Sequence, residues 1–457
     1  MAEAGTLTAS AFLAVLPGLS LGFALRRWLG APGEGVFRAG LALAAGSGVF
    51  GLGYVLALLL GGRTRTILLA EVALVGMSLA VGRRRVPGPA APRAPAGRSA
   101  AAAVALAVST AALLLGFCRR AAAFGAWDSW AIWTLHARVL HRGRTSGWTD
   151  LFTPVLGWSH ADYPLALPAA IARVWSLSGS EGAAAPWLVA LVATVSLPLL
   201  VYGTLRALRG PLLAAIGALA LAAATPVVVA GAGQYADVPL AGCYLATCGL
   251  LALSSSRDDR TRGLLAAAGA AASLAAWTKN EGIPFALAAV AVAFLTGWPR
   301  DARSRLRRAG AVLSGAAPGL VALALFKVLL APEGTTAPGF LDGLAAKWLD
   351  PGRHLAIASA AGRELLGGNL PALLPAAAAV LLLGPAARPA RGAAVRVLAL
   401  VALQATAYHA AYVVTTADLA WHLGHSADRL VVHLVPSLLA GVLLLADEGA
   451  VPAEAAA

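Results

Sequence analysis

The chain has 457 residues, of which 59% are hydrophobic and only 12% charged, about half the charged share of an ordinary soluble domain. That composition excludes a soluble enzyme and puts the chain in a membrane. The formal charge of +14 would suit a nucleic-acid binder, but no basic strip interleaved with aromatics accompanies it, so nucleic acid is excluded as a partner.

Apolar runs close to the roughly 20 residues that cross a bilayer core recur from end to end. They predict an all-α polytopic integral membrane protein with about thirteen transmembrane helices. The spans fall at roughly 7–25, 38–60, 66–82, 100–117, 185–205, 211–231 and 236–254, then 262–277, 282–298, 309–331, 370–385, 395–414 and 430–447. The first span lacks a basic leader and is followed by Arg26 and Arg27, so it reads as retained rather than as a signal peptide.

Arginines collect in short loops: Arg83, Arg84, Arg85, Arg93 and Arg98; Arg206 and Arg209; Arg257, Arg260 and Arg262; Arg300, Arg303, Arg305, Arg307 and Arg308; Arg388, Arg391 and Arg396. Such loops mark the cytoplasmic side. Threading from them puts 118–184, 232–236, 278–282, 332–369 and 415–429 outside. Arg63 and Arg65 break the pattern, since they also fall outside. Segment 164–178 is apolar but short and carries Arg173, so it is expected as an interfacial or re-entrant helix within the large outer loop. The Pro-rich stretch 87–95 reads as a linker. Three regions result: a helical membrane module with linker (1–99), a catalytic membrane module with outer loop 118–184 (100–331), and an outer loop with C-terminal spans (332–457).

Gly46-Ser47-Gly48-Val49-Phe50-Gly51 matches a dinucleotide-binding glycine pattern, yet it lies inside a span without a preceding strand. Close helix packing is its reading. Cys118, Cys243 and Cys248 spell neither a disulfide framework nor a thiolate metal site.

The chemistry-bearing clusters all fall between spans on the outer side. Asp128, between Trp127 and Trp130, suits a general base at headgroup depth or a helix N-cap. His160, Asp162 and Tyr163 lead into the short outer helix, where Asp162 could cap or catalyse. Asp237 follows Gln234 and Tyr235 and precedes Pro239, again a cap or a functional acid. Lys279, Asn280 and Glu281 form a tight outer turn. All three lysines (Lys279, Lys327 and Lys347) lie at outer span ends, against the positive-inside bias, which suggests anion binding over a local Lys–Glu pair. His422, His425, Asp418 and Asp428 have helical spacing for a metal but no tight signature. Arg429, at the start of the last span, offers a fork of donors for a phosphate or simply snorkels.

Trp127-Asp128-Ser129-Trp130, Asp162-Tyr163-Pro164-Leu165, Tyr235-Ala236-Asp237-Val238-Pro239, Trp277-Thr278-Lys279-Asn280-Glu281-Gly282 and Ser426-Ala427-Asp428-Arg429-Leu430 together resemble the GT-C superfamily of membrane glycosyltransferases. The likeness is to bacterial members of the protein mannosyltransferase and aminoarabinose-transferase type, over roughly residues 100–447. It implies transfer of a sugar, with inversion, from a polyprenyl-phosphate carrier to an extracytoplasmic acceptor. Carried over by position, Asp128 is the general base, Asp237 orients acceptor or donor, and Lys279 and Arg429 neutralise the departing lipid phosphate. The expected catalytic set is therefore Asp128, Asp237 and Asp162. The expected substrate and lipid-phosphate ligands are Lys279, Glu281, Arg429, His160, Tyr163, Gln234 and His425. Some members use a divalent metal (Mg or Mn). Four spans before the acidic loop, where relatives have one, suggest an appended module. The want of a large C-terminal soluble domain leans towards a glycolipid or polysaccharide acceptor over a protein. Composition and resemblance together place the chain in a bacterial inner membrane, with its active site facing the periplasm or exterior. A transporter or lipid-linked-sugar flippase is the rival. It would need charges at span centres, which are almost charge-free here, and repeated halves, which are not seen.

Overall fold

A computed structural model describes residues 2–30, 34–84, 96–254, 260–296, 301–332 and 343–448. Arg85, Arg93, Arg257 and Arg300 and the 87–95 linker lie outside the described residues.

Eighteen α-helices make up the described fold. The first six are α1 (Ala2–Ala24), α2 (Gly35–Leu59), α3 (Thr64–Gly82), α4 (Ala96–Arg120), α5 (Thr134–Arg142) and α6 (Ala166–Ser178). Then come α7 (Ala184–Leu208), α8 (Pro211–Ala222), α9 (Thr225–Ala232), α10 (Asp237–Leu253), α11 (Thr261–Thr278) and α12 (Gly282–Leu295). The last six are α13 (Ala302–Leu329), α14 (Leu344–Leu349), α15 (Pro351–Gly367), α16 (Leu370–Leu383), α17 (Arg388–Val414) and α18 (Leu419–Leu443). Among the described residues there is no strand, only an isolated bridge between Pro385 and Ala446. The protein is an all-α polytopic membrane protein.

Each apolar run expected to span is helical, but not each is long enough to cross. Eight helices have the length and apolarity: α1, α2, α3, α4, α7, α13, α17 and α18. Counting the bent pairs α8/α9 (60°) and α15/α16 (83°) as one span each gives ten, fewer than the expected thirteen. The difference lies in the middle of the bundle. Three helices make the difference, α10, α11 and α12, with 17, 18 and 14 residues. All of α10 except Pro239 is buried, so it meets protein rather than lipid and need not match the bilayer. Helix α18 begins at Leu419, where Asp418 accepts from Trp421 N at 2.8 Å, so most of the expected 415–429 loop is helix. Its polar first turns hid it from a reading based on apolar runs.

Helix α6, expected as interfacial or re-entrant, is covered by protein, with residues 166–175 all buried. Arg173 Nε and Nη2 donate to Glu71 Oε1 and Oε2 on α3 at 2.5 and 2.7 Å, and Nη1 donates to Leu13 O on α1 at 2.8 Å. That buried pair places a charge well inside α3, contrary to the expectation of nearly charge-free span centres. It also ties the first three helices to the outer-loop segment. The glycine pattern in α2 serves packing: a Cβ on Gly46 would lie 2.7 Å from Pro17 C, and one on Gly51 3.0 Å from Ala166 O.

Loop contacts sort to two ends of the bundle. At one end Arg260 pairs with Glu34, Arg206 reaches Ser99, and Glu448 accepts from the first amides of α8. At the other, Gly62 in the α2–α3 turn abuts Arg144 of the outer loop, so Arg63 and Arg65 do share the outer-loop face. Lys347 and Arg353 reach the carbonyls of Thr415 and Val413 at this end too.

The outer loop has its own polar core. His136 is fully buried, with Nε2 3.0 Å from Ser159 Oγ. Burial lowers its pKa to about 4. The unfolded ring titrates near 6.5, so below that pH the unfolded state binds the extra proton. Stability is therefore full above about pH 6.5 and falls as pH drops towards 4, by roughly 2–3 kcal/mol at pH 4.5. Denaturant unfolding at pH 7.5 and 4.5 is expected to show a smaller loss in His136→Gln than in the wild type. An equal loss in both would exclude His136 as its source.

Candidate active site

Two outer turns are stitched together before any charge is involved. In the turn after α4, Ala126 N donates to Gly233 O at 3.1 Å, and Gln234 Nε2 donates to Ala122 O at 2.8 Å. Gly125 has φ +72°, and a Cβ there would lie 2.4 Å from Gly233 O, so only glycine permits this approach. Gln234 itself sits at φ 58°. The stitching sets Asp128 beside the first residue of α10, Asp237.

Arg429 on α18 joins the two acids. Its Nη1 lies 2.6 Å from Asp128 Oδ2, while Nη2 and Nε donate to Asp237 Oδ2 at 3.0 and 3.3 Å. The guanidinium also lies over the Tyr235 ring, 5.1 Å from its centroid. Asp128 makes no cap hydrogen bond, so its carboxylate is committed to this pair rather than to helix initiation. Asp128 and Arg429 keep 18% and 22% of their side chains exposed, whereas Asp237 keeps none. Trp127 and Trp130 flank the opening, both exposed, edge to face at 4.5 Å.

Beneath lies a buried floor. Asp237 Oδ1 accepts from Lys279 Nζ at 3.0 Å and from His433 Nε2 at 2.5 Å. Lys279 also pairs with Glu281 at 2.8 Å, so the local Lys–Glu contact and the longer-range one coexist. Burial opposes the Lys279 charge, but the Asp237 and Glu281 carboxylates outweigh it and hold the ammonium above its ordinary value. Burial likewise pushes Glu281 up, and Lys279 more than reverses it, leaving the carboxyl below its usual range.

To one side, Asp162 Oδ2 accepts from Asn280 Nδ2 at 2.9 Å, and its backbone oxygen accepts from Lys327 Nζ at 2.5 Å. Tyr163 stacks between Trp133 and His160, at 5.5 and 5.3 Å, with Lys279 Nζ 6.0 Å from its ring. The structure thus gathers Asp128, Asp162, Tyr163, Gln234, Asp237, Lys279, Glu281 and Arg429 at one place, with His160 behind Tyr163.

His425 stays apart. It is exposed, stacks on Trp421, and its Nδ1 meets Trp421 O at 2.7 Å. His422 meets Thr415 Oγ1, Asp418 caps its helix, and Asp428 is exposed. Among the described residues no group of three or more His, Cys, Asp or Glu could hold a metal ion.

Reading the sequence missed His433. It is fully buried in α18, with Nδ1 2.8 Å from Tyr408 Oη on α17. Because a carboxylate only accepts, the Nε2 facing Asp237 carries a proton. Tyr408 Oη lies 3.2 Å from Tyr244 Oη, and Tyr244 and Gln404 both donate to Glu281 O, at 2.8 and 2.9 Å. Four helices are thereby fixed around Asp237. The available signal was a histidine and a glutamine inside otherwise apolar spans, where a polar side chain needs a partner.

Chemically, the site is a partly open carboxylate–guanidinium pair on a buried, charge-paired base. Residues 162–330, a little over a third of the chain, match the family model of dolichyl-phosphate-mannose-protein mannosyltransferases. No curated protein and no solved structure matches. The matched segment holds Asp162, Tyr163, Gln234, Asp237, Lys279 and Glu281, while Asp128, Arg429 and His433 lie outside it. The match agrees with the resemblance drawn from the sequence and supports a membrane glycosyltransferase of the GT-C superfamily.

Proposed function

We propose that the chain transfers a sugar from a polyprenyl-phosphate carrier to an acceptor hydroxyl at the outer face of a bacterial inner membrane. The observation that carries this reading is Arg429 held between Asp128 and Asp237, half open and half buried. A guanidinium is the group best shaped to take a phosphate in place of a carboxylate. In this reading the donor phosphate draws Arg429 from Asp128. The freed carboxylate, relieved of its cation, becomes the stronger base that the acceptor needs.

The acceptor oxygen then forms its bond to the anomeric carbon from the side opposite the phosphate. The carbon–oxygen bond to the phosphate breaks, its electron pair leaves with the lipid phosphate, and the acceptor proton goes to Asp128. Inversion follows from this single displacement. Arg429 stabilises the charge developing on the leaving group.

Asp237 and Lys279, with 0% and 3% of their side chains exposed, act as positioning residues rather than substrate contacts. Asp162 holds the 279–281 turn through Asn280. Both oxygens of Asp237 are filled by cationic or N–H donors, so Asp237 is not free to ligate a divalent metal, and no step is routed through one. Glycolipid or polysaccharide hydroxyls are the expected acceptor class.

The test is acceptor-dependent release of polyprenyl phosphate from labelled polyprenyl-phosphate sugars in proteoliposomes, with the product linkage assigned by NMR. Release that requires an envelope-lipid and polysaccharide extract, with inverted linkage, supports the proposal. A retained linkage would reject the single displacement. No release, with lipid or sugar crossing the bilayer instead, would make the protein a transporter.

A further inference from the structure

At the end of α11 away from the site, an open cleft of 790 Å³ lies between the first turn of α11 and the start of α13. Helix α11 has 18 residues, so the cleft is about 27 Å from the Lys279 turn and shares no residue with it. Arg262, Arg307 and Arg308 line it together with Ser314, over the apolar side chains of Leu265 and Ala311. Among the described residues, Arg262 and Arg307 are both exposed and form no ion pair.

The two helices close tightly just beyond the cleft. A Cβ on Gly269 would lie 1.8 Å from Val312 O, and one on Gly315 1.8 Å from Ala266 O. Nothing as bulky as an acyl chain passes between them there. The way out is over α13, where Leu306 and Leu313 are exposed and, seven residues apart, share a face with Gly310 of the cleft lining.

We propose that this cleft binds an anionic phospholipid, its phosphate on Arg262 and Arg307 and its chains along Leu306 and Leu313. The volume falls within the roughly 300–1,000 Å³ of ligand pockets. Basic pockets between membrane helices at the arginine-rich face suit phosphate headgroups. The positive-inside bias explains why arginines occur at this end. It does not explain Arg262 and Arg307 meeting at one concavity with an aliphatic floor and an apolar exit. The site is independent of the transfer reaction.

The full chain, purified in neutral detergent, is to be melted with dioleoylphosphatidylglycerol, dioleoylphosphatidylcholine or inorganic phosphate. The phosphatidylglycerol is expected to raise Tm by at least about 3 °C, with no rise from the other two. Arg262→Gln/Arg307→Gln should lose most of that rise while starting from the wild-type Tm. Arg83→Gln/Arg84→Gln, at the same face outside the cleft, should keep it. An equal rise with phosphatidylcholine, or one that survives in the cleft variant, would overturn the proposal. Inorganic phosphate alone reproducing the rise would make the site one for free anions, not lipid. If the cleft variant melts early without lipid, Arg307→Lys must retain part of the rise for the proposal to stand.

Discussion

Asp237→Ala is expected to lose on the order of 3–5 kcal/mol of stability, the cost of breaking a buried ion pair by removing one partner. The side chain has no exposed surface and answers Lys279, Arg429 and His433 at once. Without it, buried Lys279 keeps only Glu281, and the imidazole N–H of His433 points at a void. Asp237→Asn keeps the shape and an accepting oxygen but not the charge, so it should fall between. Unfolding in mixed micelles of mild and denaturing detergent, compared at matched pH, gives the ranking. Wild-type stability in the alanine variant would mean that the cluster is not held by this charge.

Arg429→Gln should leave a folded protein whose transfer rate falls about 10²–10³-fold, the usual cost of losing one group that stabilises developing charge. Arg429→Lys keeps the charge but cannot bridge two carboxylates with a fork, so it should recover only part of the rate. The split between parameters is informative. If Arg429 meets the donor phosphate, KM for the donor rises along with the fall in kcat. A change in kcat alone, with unaltered donor KM, would place the phosphate elsewhere and leave Arg429 only as Asp128's partner. Because Arg429 also neutralises Asp237, the variants need a melting control. A collapse comparable to that of Asp237→Ala would show structural rather than chemical loss.

The acids and bases of the site were visible in the sequence because they interrupt apolar runs. Lys279 and Glu281 sit in a short outer turn, Asp237 opens α10 and Asp128 follows α4, all at span ends where a polar residue stands out. What brings them together was not visible. The bond from Gln234 to Ala122 and the approach of Gly125 to Gly233 join turns more than a hundred residues apart, and no local pattern encodes that distance. His433, Tyr408, Tyr244 and Gln404 were absorbed into spans. Within an apolar helix the sequence does not say which face meets protein and which meets lipid, so an inward polar residue looks like an isolated blemish. The same ambiguity bears on the span count. The run forming α10 reads as lipid-facing, yet only contact with its neighbours reveals that protein surrounds it. Arg173 shows the converse: together with the segment's shortness it argued against 164–178 as a span, but its partner Glu71 lies 102 residues earlier and could not be named.

In the proposed reaction Asp128 is the base of a polyprenyl-phosphate-dependent transfer, reached through its pair with Arg429. Its most direct test is polyprenyl-phosphate release by wild type and Asp128→Asn side by side, in proteoliposomes with labelled donor and acceptor extract. The expected result is acceptor-dependent release by the wild type and a loss of about 10²–10⁴-fold in the variant, with donor binding kept. Release by Asp128→Asn at the wild-type rate would contradict it and remove Asp128 from the chemistry.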